Sequence, residues 1–502
     1  MPMDTYETVI KECDALIKTG RPQLVAKQLA ALTLTRIPRQ WRRPLAHICR
    51  RAGLNPLGLK LLSPIVRPKD SDSVAPTPTE LAEYAALLLR SGAVTEAETI
   101  LSKIDSDIAP EALLFRAFAN FARFEFQQAI PTLEAYLAAP LDEYSLLVGK
   151  VNLAFAQVAC ELREATHTLS EAIGKAQTGG YIRLESNCLA LRAQSHIQRG
   201  EYTSAELDLA RSFDLVNQAQ THDNQFVVKW RAFLESYRTG TTAAITDYRK
   251  IAEDSEDWDG MRECDLHFLK IKFEKVRFNH LLFGTPFRDF RDHITKTLKF
   301  VPDQNIYILG SKKSPRFDLL TCDFKGFPLT NPGGKCHQLL DVLLHDFYRP
   351  IAVGGIFSTL FPLEHFDAFT SPDRVHQILR RTRLWLKESC VPVKIQEANG
   401  QYTLKLSGDV SFRVPLEHHP VDFMTLQFES LKKAREKGSR KHLPFSAREI
   451  REQLGIARTS IQRLLNWGIS QKKIEKVGSK NATLYRLVSS SAPDRDKIAR
   501  AG

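Results

Sequence analysis

The 502 residues contain no C-x-x-C pair and no stretch of 18 consecutive apolar residues. The eight cysteines, Cys13, Cys49, Cys160, Cys188, Cys264, Cys322, Cys336 and Cys390, are scattered. Their spacing fits neither a zinc site nor a disulfide framework, so most are expected to be reduced core residues. Without a long apolar run there is no candidate transmembrane helix. The start, MPMDTYETVIKECDALIK, lacks a basic region followed by an apolar core, so a cytoplasmic protein without a secretory leader is expected. Neither G-x-S-x-G nor H-E-x-x-H occurs, and no Cys/His arrangement suits nucleophilic catalysis. NPGGKC carries Gly-Gly-Lys but lacks the first glycine of the phosphate loop, and Cys336 stands where Ser or Thr must reach magnesium. His418-His419 has no partner at metal-ligand spacing and reads as a loop. No enzymatic activity, cofactor or metal is therefore expected.

What is present is length, an ordinary globular composition and an uneven charge. A chain this long should divide into three or more folding units. Hydrophobic residues make up 43% and charged residues 25%, the balance of a soluble protein with packed cores. The net charge is +12, and residues Val421 to Gly502 hold 18 Lys+Arg against 8 Asp+Glu, which leaves only +2 for everything before them. Charge concentrated this way suits a polyanion, because each basic group near a phosphate releases counterions. A basic solubilising tail is the alternative.

The N-terminal half carries an internal repeat. Ala97, Ala129, Ala165, Ala205 and Ala244 set a register with spacings of 32, 36, 40 and 39 residues. Four residues later stand Leu101, Leu133, Leu169, Leu209 and Tyr248, and twelve earlier Ala85, Ala117, Leu153, Ala193 and Ala232. Small residues let two helices approach closely, and the large residue one turn on fills the space between hairpins. The clearest copy, CLALRAQSHIQRGEYTSAELDLARSF, has Gly200 in its turn; the first keeps Gly92, and the second and third have no turn glycine. These residues resemble the tetratricopeptide family, whose repeat is roughly 34 residues. The resemblance implies an α-solenoid of helical hairpins over residues 79–253, with a concave surface for a protein, peptide or small-ligand partner. A spacer or dimerisation platform is the alternative. Residues 1–66 read as further helical hairpins, and the Pro- and Ser-rich PKDSDSVAPTPT as a linker. A helical connector is expected over 254–300, where Leu266, Leu269, Phe273 and Val276 form a stripe that reads as core.

Past Phe300 the pattern changes. IYIL and FDLLTCDF read as strands, KCHQLLDVLLHD as a helix, IAVGGIFSTLF as a helix or turn, SPDRVHQILRRTRLWLKES as a third helix, and VKIQEANGQYTLKL as a hairpin across Asn399-Gly400. Strands, three helices and a closing hairpin in this order describe a winged helix over 301–416. The string from Val375 to Leu386, with the Phe-Pro-Leu-Thr segment and the N-G-x-Y hairpin, resembles the OmpR/PhoB-type DNA-binding domain and its recognition helix. Val375, Leu379, Thr382 and Leu386 share one face and should pack inward. The resemblance implies that Arg374, Gln377, Arg380, Arg381 and Arg383 face the major groove or its flanking phosphates. The chain departs from the family at Ile378, where a His is usual, and at Ala398, where the wing carries a basic residue. A module that binds protein or mediates dimerisation is the other reading.

In residues 421–489 a long helix precedes FSAREIREQLGIARTSIQRLLNWGISQKKIEKVGSKNATLYRLV. Ser446 with Glu449 forms a capping box, Gly455 supplies a tight turn, and Arg458 to Leu465 make the next helix. The string resembles the bacterial helix-turn-helix pattern, completed by a wing whose tip is Ser479 to Asn481. With Ile461 and Leu464 or Leu465 inward, Arg458, Thr459, Ser460, Gln462, Arg463 and Asn466 face outward. Lys476, Lys480 and Arg486 would reach phosphates from the wing. Residues 490–502 read as a disordered tail.

The expected fold is thus mainly α, an α-solenoid of helical hairpins followed by two small α+β winged-helix domains. The expected function is transcriptional regulation in the cytoplasm, at the nucleoid. The array would sense a partner and the winged helices would bind double-stranded DNA. A homodimer would require half-sites one helical turn apart or a multiple of it. The competing expectation is a non-enzymatic scaffold whose repeats and winged helices assemble a protein complex.

Overall fold

The computed structural model describes residues 3–18, 23–30, 32–68, 74–218, 225–417, 423–437, 443–454, 458–477 and 483–488. The turn at Gly455, the wing tip with Lys480, His418-His419, the middle of the linker and the C-terminal tail lie outside them. The described residues are mainly helical, with a smaller sheet-containing C-terminal region. The chain divides into two compact units. The first comprises Met1–Asp303, His345–Gln377 and Glu397–Thr403, and the second Gln304–Leu344, Ile378–Gln396 and Leu404–Gly502. The division is coarser than the segments expected from the sequence and shares residues 301–416 between the units. Among the described residues, no helix is long and apolar enough to cross a membrane.

In the first unit consecutive helices pack in pairs from Arg39–Arg51 to Lys275–Phe283. The first helix of one pair also meets the first of the next, as Pro78–Arg90 meets Glu111–Ala122 and Ile182–Gln198 meets Gln225–Thr239. The register read from the sequence explains this packing. Ala85, Ala97, Ala117, Ala129, Ala165, Ala193 and Ala205 are all buried, as are Leu101, Leu133, Leu169 and Leu209. The last copy is shifted: Phe233 and Ile245 are buried where Ala232 and Ala244 were expected, and those alanines are half-buried. Tyr248 of the same copy is buried as expected, and His267 on the neighbouring helix Trp258–Ile271 stacks on the Phe233 ring at 4.3 Å.

The turns keep one geometry with and without glycine. Gly92 and Gly200 have φ of +87° and +76°, and Phe124 and Glu161 occupy the same place with +61° and +56°. In each turn the following amide donates to a carbonyl five residues back, as from Ala93, Glu125, Leu162 and Glu201, all at 2.9 Å. That bond caps the preceding helix. It is strong enough to hold two ordinary residues in left-handed backbone at about 1–2 kcal/mol each.

Two expectations about this unit are corrected. The stripe Leu266, Leu269, Phe273, Val276 does not run on as core. The helix ends at Ile271, its cap Lys272 is extended, and Phe273 and Val276 are 45% and 77% exposed. The last residues of the proline-rich linker form a helix start, where Thr77 and Glu80 make a reciprocal capping box before Pro78–Arg90. The helix Val353–Leu360 packs on Val94–Leu101 in the first unit. A Cβ on Gly354 would lie 2.3 Å from the Ser91 carbonyl oxygen, so the close approach requires glycine there.

The second unit contains a five-stranded sheet ordered Ile306–Gly310, Ser411–Pro415, Arg316–Asp318, Asp323–Phe324, Phe327–Pro328. The strand Ser411–Pro415 pairs antiparallel with the first and parallel with the third of these. It was not expected, because the winged-helix pattern in the sequence closes at the hairpin before it. Phe317 and Phe412 are fully buried, and Phe317 meets Trp385 edge-on at 6.3 Å. His337 on helix Lys335–Leu343 accepts from the Gly333 amide at 3.0 Å and bonds the Leu319 carbonyl through Nε2 at 2.8 Å. Accepting at Nδ1 requires the neutral ring with its proton on Nε2, and burial lowers its pKa in the same sense.

Candidate nucleic-acid interface

Helices Phe423–Lys437, Ala447–Leu454 and Arg458–Ser470 surround one apolar core with the antiparallel strands Ile474–Val477 and Leu484–Leu487. Phe428, Leu431, Phe445, Ile450, Leu454, Ile461, Leu464, Leu465, Ile474, Tyr485 and Leu487 form that core. The Phe445 and Tyr485 backbones exchange two hydrogen bonds of 2.8 Å, which join the segment before the second helix to the hairpin. The start of Ala447–Leu454 is fixed by its box: Glu449 N donates to Ser446 Oγ at 3.2 Å, and Ser446 N to Glu449 Oε2 at 2.9 Å.

This frame leaves one side of Arg458–Ser470 uncovered. Ile461, Leu464 and Leu465 are buried, so Arg458, Gln462 and Asn466, one helical turn apart, are exposed together, with Arg463 beside them. Ser460 is half-buried, and the Thr459 side chain lies outside the described residues. Gln462 Nε2 donates to Asn466 Oδ1 at 3.1 Å, which pre-orients two amides able to read base edges. Arg458 and Arg463 have no hydrogen-bond or ion-pair partner among the described residues.

The hairpin Ile474–Val477 and Leu484–Leu487 is less available to phosphate than expected. Lys476 is exposed, whereas Arg486 donates to Glu475 directly across the hairpin at 3.2 Å. A neighbouring carboxylate thereby reduces the charge Arg486 was expected to offer to phosphate. Two further cations of this segment serve the fold. Arg435 is buried, donates to the Leu443 carbonyl at 2.7 Å and stacks on Phe445. Lys473 lies over the Phe428 and Trp467 rings.

Helix Ser371–Glu388 shows the same division between core and surface. Val375, Ile378, Leu379, Thr382, Trp385 and Leu386 are buried, and Gln377, Arg380, Arg381 and Arg383 are exposed. Ile378 is a core residue. Arg383 donates to the Ile395 carbonyl at 3.1 Å. Arg374 departs from the expectation of an open cation: it forms a fork on Glu364 at 2.5 and 3.0 Å and stacks on Phe361 at 4.1 Å. The hairpin after this helix turns at Asn399-Gly400, both with positive φ, as a two-residue type I′ turn requires.

The first unit also holds a buried polar network that no motif in the sequence marks. Arg262 is fully buried, forks onto Asp346 at 2.7 Å through both oxygens, and lies against the Phe124, Phe287 and Tyr348 rings. Asp265 accepts from Arg249 at 3.0 Å, Arg277 at 2.6 Å and Tyr348 Oη at 2.7 Å. Burial, reinforced by Asp265, drives the Tyr348 phenol well above its ordinary pKa, so it stays a donor. The only signal in the sequence was the density of charge in a stretch otherwise read as core. No model of a known protein family matches this chain, and no curated protein matches it.

Proposed function

We propose that the chain is a DNA-binding transcriptional regulator. Its first unit works as an α-solenoid that senses a signal, and the segments built on Ser371–Glu388 and Arg458–Ser470 work as winged helices. The observation that carries this reading is the exposed, unneutralised row Arg458, Gln462, Arg463 on a helix whose opposite face is locked into a three-helix core. Guanidinium and amide forks at helical spacing match the donor and acceptor pattern of base edges in the major groove. Arg380 and Arg381 would add a second contact region, and Lys476 a phosphate contact. No step of this function requires a catalytic group. Its place would be the cytoplasm, at the nucleoid.

Selection of bound sequences from random duplex DNA by the full-length protein tests the proposal. Enrichment of a defined site is expected, with loss of enrichment in the Arg458→Ala, Arg463→Ala double variant. A pool that stays random overturns it.

A further inference from the structure

Within the first unit, helices Phe126–Ala138, Glu143–Ala159, Ile182–Gln198, Gln225–Thr239, Trp258–Ile271 and Arg288–Leu298 line a partly open cavity of about 280 Å³. One wall is aromatic: Phe126 and Phe155 meet edge to face at 5.4 Å, with Phe290 and Trp230 also lining the space. The other wall carries Lys270, His267, His293, Gln194 and Glu161.

The hydrogen-bonding capacity of these walls is out of balance. The nearest carboxylate oxygen to Lys270 Nζ belongs to Glu161 at 3.9 Å, beyond hydrogen-bond length, and the lysine side chain is only 21% exposed. The other lining carboxylates are engaged, Glu263 with Lys229 at 2.5 Å and Asp289 with Gln128 at 3.2 Å. The indole N–H of Trp230 is buried without a partner among the described residues. A buried donor without an acceptor is costly, and a cation out of water is costlier. Burial lowers the pKa of Lys270, and burial together with the Lys270 charge lowers those of His267 and His293. At this end the Lys270 ammonium lacks an acceptor within hydrogen-bond length, and the facing wall is aromatic. One ammonium with no guanidinium fork suits a single negative charge better than a phosphate. The volume, at the lower edge of the usual range for ligand sites, suits one or two rings.

We propose that this cavity binds a small aromatic carboxylic acid, its carboxylate on Lys270 and its ring against Phe126, Phe155 and Phe290. This deepens the reading of the helical unit as the sensing part of a regulator. Burying the ring removes apolar surface from water, and the carboxylate supplies the acceptor that Lys270 lacks.

Isothermal titration of the full-length protein with indole-3-acetate and phenylacetate, and with indole-3-acetamide as the uncharged control, tests the site. At least one acid should bind saturably, with the amide at least tenfold weaker, and Lys270→Met should weaken the acid at least tenfold. Should that variant fail to fold, Ala159→Leu, which fills the cavity from another helix, must abolish binding. The site is overturned if neither acid binds saturably, if acid and amide bind alike, or if the cavity variants bind as the parent does. DNA binding by the same preparation without ligand separates the two claims. Acid binding without DNA binding overturns only the regulator, and DNA binding without acid binding overturns only the cavity.

Discussion

Arg262 in the helical unit and Arg463 in the C-terminal three-helix segment carry the same guanidinium, and their surroundings give it opposite uses. Arg262 is buried on Asp346 among three aromatic rings, and its charge is cancelled inside the fold. Arg463 is exposed beside Arg458, and no described residue cancels either charge. A basic residue becomes available to a partner only where the fold has not already supplied its counter-ion. By that criterion Arg374, forked on Glu364, belongs with Arg262, although it shares a helix with the exposed Arg380 and Arg381.

The largest difference should appear in stability. Replacing Arg262 with Met leaves Asp346 without its partner and should cost about 3–5 kcal/mol of unfolding free energy. Arg463→Met should stay within about 0.5 kcal/mol. Urea unfolding of both variants checks this, and equal costs would break the comparison.

Next comes affinity for DNA. Arg458→Ala with Arg463→Ala should lower affinity for a selected site by about 1–3 kcal/mol for each base-edge interaction removed, without moving the thermal midpoint. Arg374→Ala should do the reverse, lowering the midpoint while affinity holds. Fluorescence anisotropy beside a melting curve separates the two.

Acidification should divide the regions again. In the helical unit His267 is buried and His280 and His293 are half-buried, and desolvation lowers each pKa in the folded state. The unfolded chain therefore binds more protons, and stability is lost as pH falls through the unfolded value near 6.5. Each histidine contributes at most about 1.4 kcal/mol per pH unit in that window. Between residues 423 and 488 the sole histidine is His442. Hydrogen exchange at pH 7 and pH 5 should show the helical unit losing protection first.

The smallest effect tests the turns. Glu161→Gly relieves a left-handed residue and should raise stability by up to about 1 kcal/mol, and Gly200→Ala should lower it by a similar amount. Thermal melts of the two variants should move in opposite directions.

Much of the helical unit was legible because alanine and leucine recur wherever helices approach closely, and the unevenness of the spacings did not hide it. The burial of Phe233 and Ile245 in place of Ala232 and Ala244 was not legible, because spacing does not encode contacts such as the Phe233–His267 stack with another helix. Phe124 and Glu161 were illegible as turn residues because the cap that holds them consists of backbone bonds alone. In the C-terminal segment the capping box and the inward residues were readable, since both are set by neighbours within one or two helical turns. The pairings that occupy Arg374 and Arg486 were not, because Glu364 and Glu475 are brought to them by a bend and by strand register. The Gly354-Gly355 pair did hold a signal of close backbone approach, and the Ser91 carbonyl is what it approaches.

The most direct measurement is the affinity of the full-length protein for its selected duplex across a series of salt concentrations. The logarithm of the association constant should fall linearly with the logarithm of salt, by about 0.9 for each phosphate neutralised. In the Arg458→Ala, Arg463→Ala protein the slope should flatten if either side chain also neutralises a phosphate, and affinity should drop at every salt concentration. An association that ignores salt, or that the double variant leaves untouched, would contradict the account.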